Sequence, residues 1–306
     1  MEPWRKAPLV FLVTLTPPGL WLAAFFLLPL SLLWAFSFGG KLGITGIDLT
    51  WTLANYARAM DPLYLGILLK SLWIAGAATL ICLTIALPVA LVISFAPLRV
   101  QPWLLLLIIL PFWTNLLIRT YALIAVLRGN GHVNSVLEWL WQIGDGFLAL
   151  AGLGSLHLLG TGFTPLALLY NDSAVVIGLV YVHLPFMVLP LYAALDRLDR
   201  SLIEASIDLG AGHGRTFFAI IAPLAMPGIA SGVIITFIPA LGAYLTPDLL
   251  GGPDSQMIAN VIERQFKAAN DWPFGSALSF LLMYVTFFGL ALRSLFAGRR
   301  AGGDSA

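Results

Sequence analysis

The chain has 306 residues, 59% of them hydrophobic and 10% charged. Soluble domains carry about 25% charged residues, so this composition excludes a soluble globular protein and indicates an integral membrane protein. A net charge of +1 with no basic run gives no reason to expect a nucleic-acid partner, and the lone Cys82, read as a small apolar filler, excludes an internal disulfide.

The first element begins near the N-terminus. From Ala7 to Phe38 there are 32 residues without a charge, too long for the apolar core of a cleaved signal, which runs to about 15 residues. A retained span over 14–38 is predicted, bent at Pro17-Pro18. Five further runs reach the roughly 20 apolar residues a spanning helix needs: 71–95, 103–127, 174–195, 223–247 and 274–296. The runs are continuous and do not alternate, which predicts helices and excludes a β-barrel. The expected fold is therefore an all-α integral membrane protein of six spans, a single domain over 1–306.

The connections differ in character. Residues 39–70 are long and polar. "APLRVQP" is short. The stretch 128–173 is predicted to hold a helix at 133–143 along the membrane surface, because Trp139 and Trp141 suit the interface. A polar, glycine-rich passage, "RSLIEASIDLGAGHGR", lies within 196–222. The last connection, 248–273, contains the turn signals "GGPDS" and "NDWPF".

Lys and Arg set orientation. With both termini, the second connection and the fourth on one side, that side holds nine basic and six acidic residues, and the other seven and nine. The termini and residues 196–222 are accordingly expected in the cytoplasm.

No aspartate or glutamate lies in the six apolar runs, whereas ion-coupled carriers place carboxylates inside the membrane. Apart from Arg293 near the end of the last run, Arg119 and His183 are the basic residues of the runs. Arg119 either snorkels to the outer interface or pairs with an acid in a pathway; His183 reads first as a satisfied interior histidine. His132, His157, His183 and His213 are scattered, with no metal cluster and no hydrolytic triad.

In the polar passage, Ser201 and Glu204 have the spacing of a capping box. A two-turn helix over about 202–209 is predicted, closed by Gly210 in a left-handed conformation. A second helix starts near Arg215, with Pro223 in its first turns. Two-turn helices are marginal in water, so a partner protein is expected to hold this one.

The motif Glu204-Ala205-Ser206, Gly210 and Ile220-Ile221-Ala222-Pro223 resembles the signature loop of ABC-importer membrane subunits, which carries Glu-Ala-Ala, Gly and Ile-x-x-Pro; the third position here is Ser. The resemblance implies the type I importer permease fold, with 202–210 as a cytoplasmic coupling helix. Glu204, Ala205, Ser206, Gly210 and Pro223 then couple the chain to an ATPase. "PFWTNLLIRTYA", "VIGLVYVHLPFMVLPLYAALDRLD", "PDLLGGPDSQMIANVI" and "NDWPFGSA" are similar to the polyamine-import branch.

That resemblance implies a non-catalytic permease of the bacterial inner membrane importing putrescine or spermidine. The expected partners are an ATP-binding cassette ATPase dimer, a second homologous permease, a periplasmic substrate-binding protein and the lipid membrane. No cofactor is expected on this chain, which lacks a phosphate-binding loop; ATP and Mg belong to the ATPase. A polycation path calls for acids and aromatic faces, which nominates Trp113, Tyr121, Tyr244 and Asp248. The eight-residue interval from Trp113 to Tyr121 predicts one helical face. The alternatives are a permease for sulfate, molybdate, iron or an organic cation, or an ion-coupled carrier.

Overall fold

The computed structural model describes residues 8–43, 46–150 and 162–301. Glu2, Arg5, Lys6 and Asp304, which enter the orientation argument, and His157 lie outside them. In chain order the helices are α1 (Pro8–Leu22), α2 (Leu28–Phe36), α3 (Ala54–Ala59), α4 (Pro62–Phe95), α5 (Gln101–Ile109), α6 (Leu116–Leu127) and α7 (His132–Leu150). After these come α8 (Asp172–Leu195), α9 (Arg200–Asp208), α10 (His213–Thr216), α11 (Ala222–Leu241), α12 (Leu245–Leu250), α13 (Ile258–Lys267) and α14 (Trp272–Ala301). One short antiparallel hairpin interrupts the all-helical pattern: β1 (Gly40–Leu42) and β2 (Gly46–Asp48), with Lys41 opposite Ile47.

Among the described residues, five stretches are long and apolar enough to cross a membrane: Val13–Phe36, Pro62–Phe95, Asp172–Leu195, His213–Leu241 and Trp272–Ala291. A sixth arises when Gln101–Trp113 and Leu116–Gly146 are taken as one broken span; they meet at 94°. Large apolar side chains on these helices, such as Trp73 at 75% and Phe288 at 68% exposure, face outward, as spans surrounded by lipid require.

Two local expectations change. The first span passes through Pro17-Pro18 as helix, and its irregular π turn sits at Ala23–Leu27, just upstream of Pro29. A proline removes a helical N–H and crowds the carbonyl four residues earlier, which a wider turn relieves. The third span is not one straight helix over 103–127. Pro111 leads a tight turn through Trp113, Thr114 is extended (ψ 146°), and the helix restarts at Leu116.

The contacts divide the chain into two compact units, residues 1–66 with 261–306, and residues 67–260. In the first, α14 packs on α2 and α3. Trp34 Nε1 donates to Tyr284 Oη at 3.2 Å, and Arg58 pairs with Asp271 at 2.9 Å while lying 3.8 Å over the Phe274 ring.

In the second unit the core is a seam of small residues on α4, among them Cys82, Ala86 and Ala90, against Met187, Val188 and Leu191 of α8 and Ala225 of α11. Small residues let helices approach closely where lipid supplies no hydrophobic drive for association. A Cβ at Gly232 would stand 2.8 Å from Met187 Sδ, and one at Gly228 would strike Ala194 and the Pro190 carbonyl. Those glycines bring α8 and α11, the helices on either side of the polar passage, into direct backbone contact.

Candidate coupling loop and transport path

The polar passage folds into α9 through local chemistry. The cap is Asp199, not Ser201: the Asp199 carboxylate accepts the Ser201 N–H at 3.0 Å. The helix therefore starts two residues before the predicted 202. The bond to Ser201 backbone, with its hydroxyl adding to it, holds the Asp199 carboxyl below its ordinary value of 3.8.

The other end closes as a full Schellman motif. Gly210 has φ +83°; its N–H bonds the Ile207 carbonyl at 2.9 Å, and the Ala211 N–H bonds that of Ser206 at 3.0 Å. A left-handed residue costs a side-chain-bearing amino acid about 1–2 kcal/mol, so glycine belongs there.

Ser206 is half-buried, and its Oγ lies 3.0 Å from the Thr216 Oγ1 of α10, which is buried. The serine at the third motif position thus makes a specific contact. It ties α9 to the base of the next span. A π turn, Phe217–Ile221, carries that span into α11 ahead of Pro223. Glu204 and Ala205 face solvent. So do Leu202 and Ile207, each 45% exposed, and Leu209 at 89%.

Two residues that sequence reasoning missed brace the loop. Arg200 Nη2 donates to the Ser94 carbonyl at the end of α4 at 2.9 Å, with its guanidinium 5.5 Å over Phe95. Gln101, buried, donates to the same carbonyl at 3.2 Å. Arginine next to a helix cap carries no sequence signal that it reaches another helix. Beside these braces a cavity of about 510 Å³ opens between the bases of α8 and α11, walled by Ala194, Arg197, Asp199, Leu202 and Leu224.

The nominated path residues sit at or near helix breaks. Trp113 is 76% exposed at the end of the tight turn and Tyr121 is 56% exposed on α6. They do not share a helical face, because periodicity carries across 113–121 only if the helix is continuous. No aromatic contact joins the two among the described residues. Tyr244 and Asp248 are brought together: the Asp248 N–H bonds the Tyr244 carbonyl at 3.0 Å in the first turn of α12, and both side chains are exposed. Asn260 Nδ2 donates to the same Tyr244 carbonyl at 2.8 Å.

Lys70 pins the "GGPDS" turn nearby. Its ammonium pairs with Asp172 at 2.9 Å and donates to the Asp254 carbonyl at 2.5 Å. His183 Nδ1 donates to the Leu179 carbonyl at 2.9 Å, which satisfies it as an interior residue. Arg119 is 8% exposed, and its Nε is buried without a hydrogen-bond partner.

Apolar helices on both sides of one short, polar, doubly capped helix are the arrangement that the resemblance to an importer permease subunit predicts. The chain belongs to the family of binding-protein-dependent transport system inner membrane components, whose profile matches residues 8–301. It is 42% identical over 265 residues to the spermidine/putrescine transport system permease protein PotB of Escherichia coli (strain K12), covering 87% of this chain and 90% of that one. The PotB of Salmonella typhimurium (strain LT2) shares 42% over 87% of this chain and 86% of its own.

Among solved structures, the fold matches a bacterial ABC transporter involved in the import of the acidic polysaccharide alginate, with a TM-score of 0.71 and 15% identity over 97% of each chain. The chain is thus a multi-pass inner-membrane transport subunit with the type I permease fold, and not an enzyme. An ion-coupled carrier is not what these relatives are.

Proposed function

We propose that this chain carries polyamines, putrescine or spermidine, through the inner membrane as one permease of an ABC importer. The observation that carries this is 42% identity across 87% of the chain to permeases named for that cargo. The exposed acid and aromatics agree with it: Asp248 and Tyr244 at α12, Trp113 at the bend and Tyr121 on α6 offer carboxylate and ring faces to a flexible polycation.

In this reading both termini and α9 are cytoplasmic. An ATPase dimer receives the Leu202, Ile207 and Leu209 face beside Glu204 and Ala205. ATP and Mg act on that dimer. A second, homologous permease completes the path, and a periplasmic binding protein delivers cargo on the side of α12. ATP binding moves α9, and through Ser206–Thr216 and Arg200–Ser94 the motion reaches α11 and α4. Nucleotide shifts the equilibrium only by its different affinity for the two states.

The test is uptake into proteoliposomes holding the full set of subunits, with labelled putrescine, spermidine, sulfate, molybdate and iron. ATP-dependent polyamine uptake alone is expected. Uptake of another solute with none of polyamine overturns the reading. Asp248→Asn should slow polyamine uptake with assembly unchanged; unchanged uptake removes Asp248 from the path.

A further inference from the structure

Arg119 stands in the first turns of α6, just past the 94° break. Its Nε is sealed from the surroundings and makes no hydrogen bond. The nearest compensation is weak: the guanidinium carbon lies 5.7 Å from the Phe112 ring centroid, near the limit of a useful cation–π contact. Phe112 packs edge-on against Phe186 at 5.3 Å, and Phe186 lies 6.1 Å from His183. Aromatic and imidazole rings thus line this side of the cation.

None of the ion pairs among the described residues includes Arg119, and the apolar runs contain no acid to move toward it. At 8% exposure the cation is largely withdrawn from its surroundings with no counter-charge on this chain, and intramembrane cations are found paired. The flank beside it is uncovered: Trp113, Ile118 and Tyr121 are 76%, 66% and 56% exposed.

We infer that Arg119 receives a carboxylate from a spanning helix of the second permease subunit, which packs beside Ile118 and leaves the Trp113 and Tyr121 rings on the path between the two subunits. A polycationic cargo has no carboxylate to offer. The inference rests on the two-permease part of the proposed function.

The experiment uses the whole importer in nanodiscs, with Arg119→Gln and Arg119→Lys, and measures how much second permease co-purifies. Gln should lose about tenfold or more, and Lys should retain most of the wild-type amount, because it keeps the charge. Each carboxylate in the second permease's spans is then changed to its amide. One of these must reproduce the loss, and adding it to Arg119→Gln must cost nothing further, the signature of a shared interaction.

Undiminished co-purification of Arg119→Gln, or no coupled carboxylate, overturns the inference. So does normal assembly with faster polyamine uptake, which would make Arg119 a barrier on the path, and so does loss that follows the anionic lipid content alone. If the Gln variant fails to accumulate, Ile118→Cys in the otherwise unchanged chain decides: a crosslink to a span of the second permease supports the pairing, and none overturns it. A wild-type complex that lacks any second permease is a different result, since it fails the proposed function itself.

Discussion

Two breaks in the helical path of residues 67–260, at 199–211 and at 111–117, are built from opposite materials. At 199–211 the freed backbone groups are taken by a carboxylate, a left-handed glycine and two Schellman bonds. Charged side chains there face outward. At 111–117 the break lies inside an apolar run. Thr114 Oγ1 donates to the Pro111 carbonyl at 2.7 Å, and the Asn115 side chain accepts the Leu117 N–H at 2.8 Å. Only neutral groups are used, and the nearby charge, Arg119, is only 8% exposed. Inside a bilayer a broken backbone must satisfy itself, whereas the polar loop has water to help. In the proposed function the first break is the moving part and the second a fixed corner.

Removing 202–210 gives the largest expected effect. Deletion takes away α9 but leaves the corner at 114–115 intact, so ATP-driven uptake and ATPase co-purification should both vanish. Uptake that survives the deletion would erase the distinction between a moving break and a fixed one.

The next effect is smaller and local. Gly210→Val places a β-branched residue at φ +83°, where only glycine is at ease, and should destabilise the loop by about 2 kcal/mol. Faster amide exchange confined to 200–216 is the measurement. Exchange spreading into α8 and α11 would mean that the loop and the spans unfold as one unit.

These two breaks also show what a single sequence discloses. Gly210 was readable because a left-handed terminus admits few residues. The cap was misplaced by two residues because Ser201 and Asp199 both satisfy the same local rule, and only the chain path chooses between them. The corner was hidden by its own composition. "LLLLIILPFWTNLLIRTYALIAVL" has the hydropathy of one span, and its Pro111 and Asn115 are individually tolerated in helices. Read as one helix, the run puts Trp113 and Tyr121 on one face.

Residues whose role depends on a distant partner were silent. Lys70 and Arg200 are ordinary cations in sequence, and their bonds to Asp254 and Ser94 span 184 and 106 residues. Cargo was legible only through family likeness. The same fold carries a TM-score of 0.71 to an importer of an acidic polysaccharide, so architecture alone does not set the sign of the charge carried.

At the corner, Asn115→Ala should cost about 1 kcal/mol, the usual worth of a helix cap. Asn115→Ser, which keeps an acceptor, should cost a few tenths. Thermal unfolding of the assembled permease reads the difference. Equal melting of both variants with wild type would show that the bend is imposed by Pro111 and packing, with no contribution from the cap.

The smallest effect is a matter of pH and belongs to the polar break alone. Asp199 is held below its ordinary value by the Ser201 backbone and hydroxyl, so folding favours the ionised form. A depressed carboxyl contributes stability that is complete above its unfolded value and is lost as pH falls through the folded one. The start of α9 should therefore fray below about pH 4 and be indifferent to pH between about 5 and 7. The carboxylate is fully open to solvent, so the change should stay within the first turn of α9. Asp199→Asn keeps an acceptor for the Ser201 N–H and removes the titration. Amide exchange at 200–203, corrected for the intrinsic effect of pH, should rise on acidification in wild type and stay level in the Asn variant. The corner at 115, capped by an amide, should show no such dependence in either; a matching acid response there would mean that some other group, and not the two caps, separates these breaks.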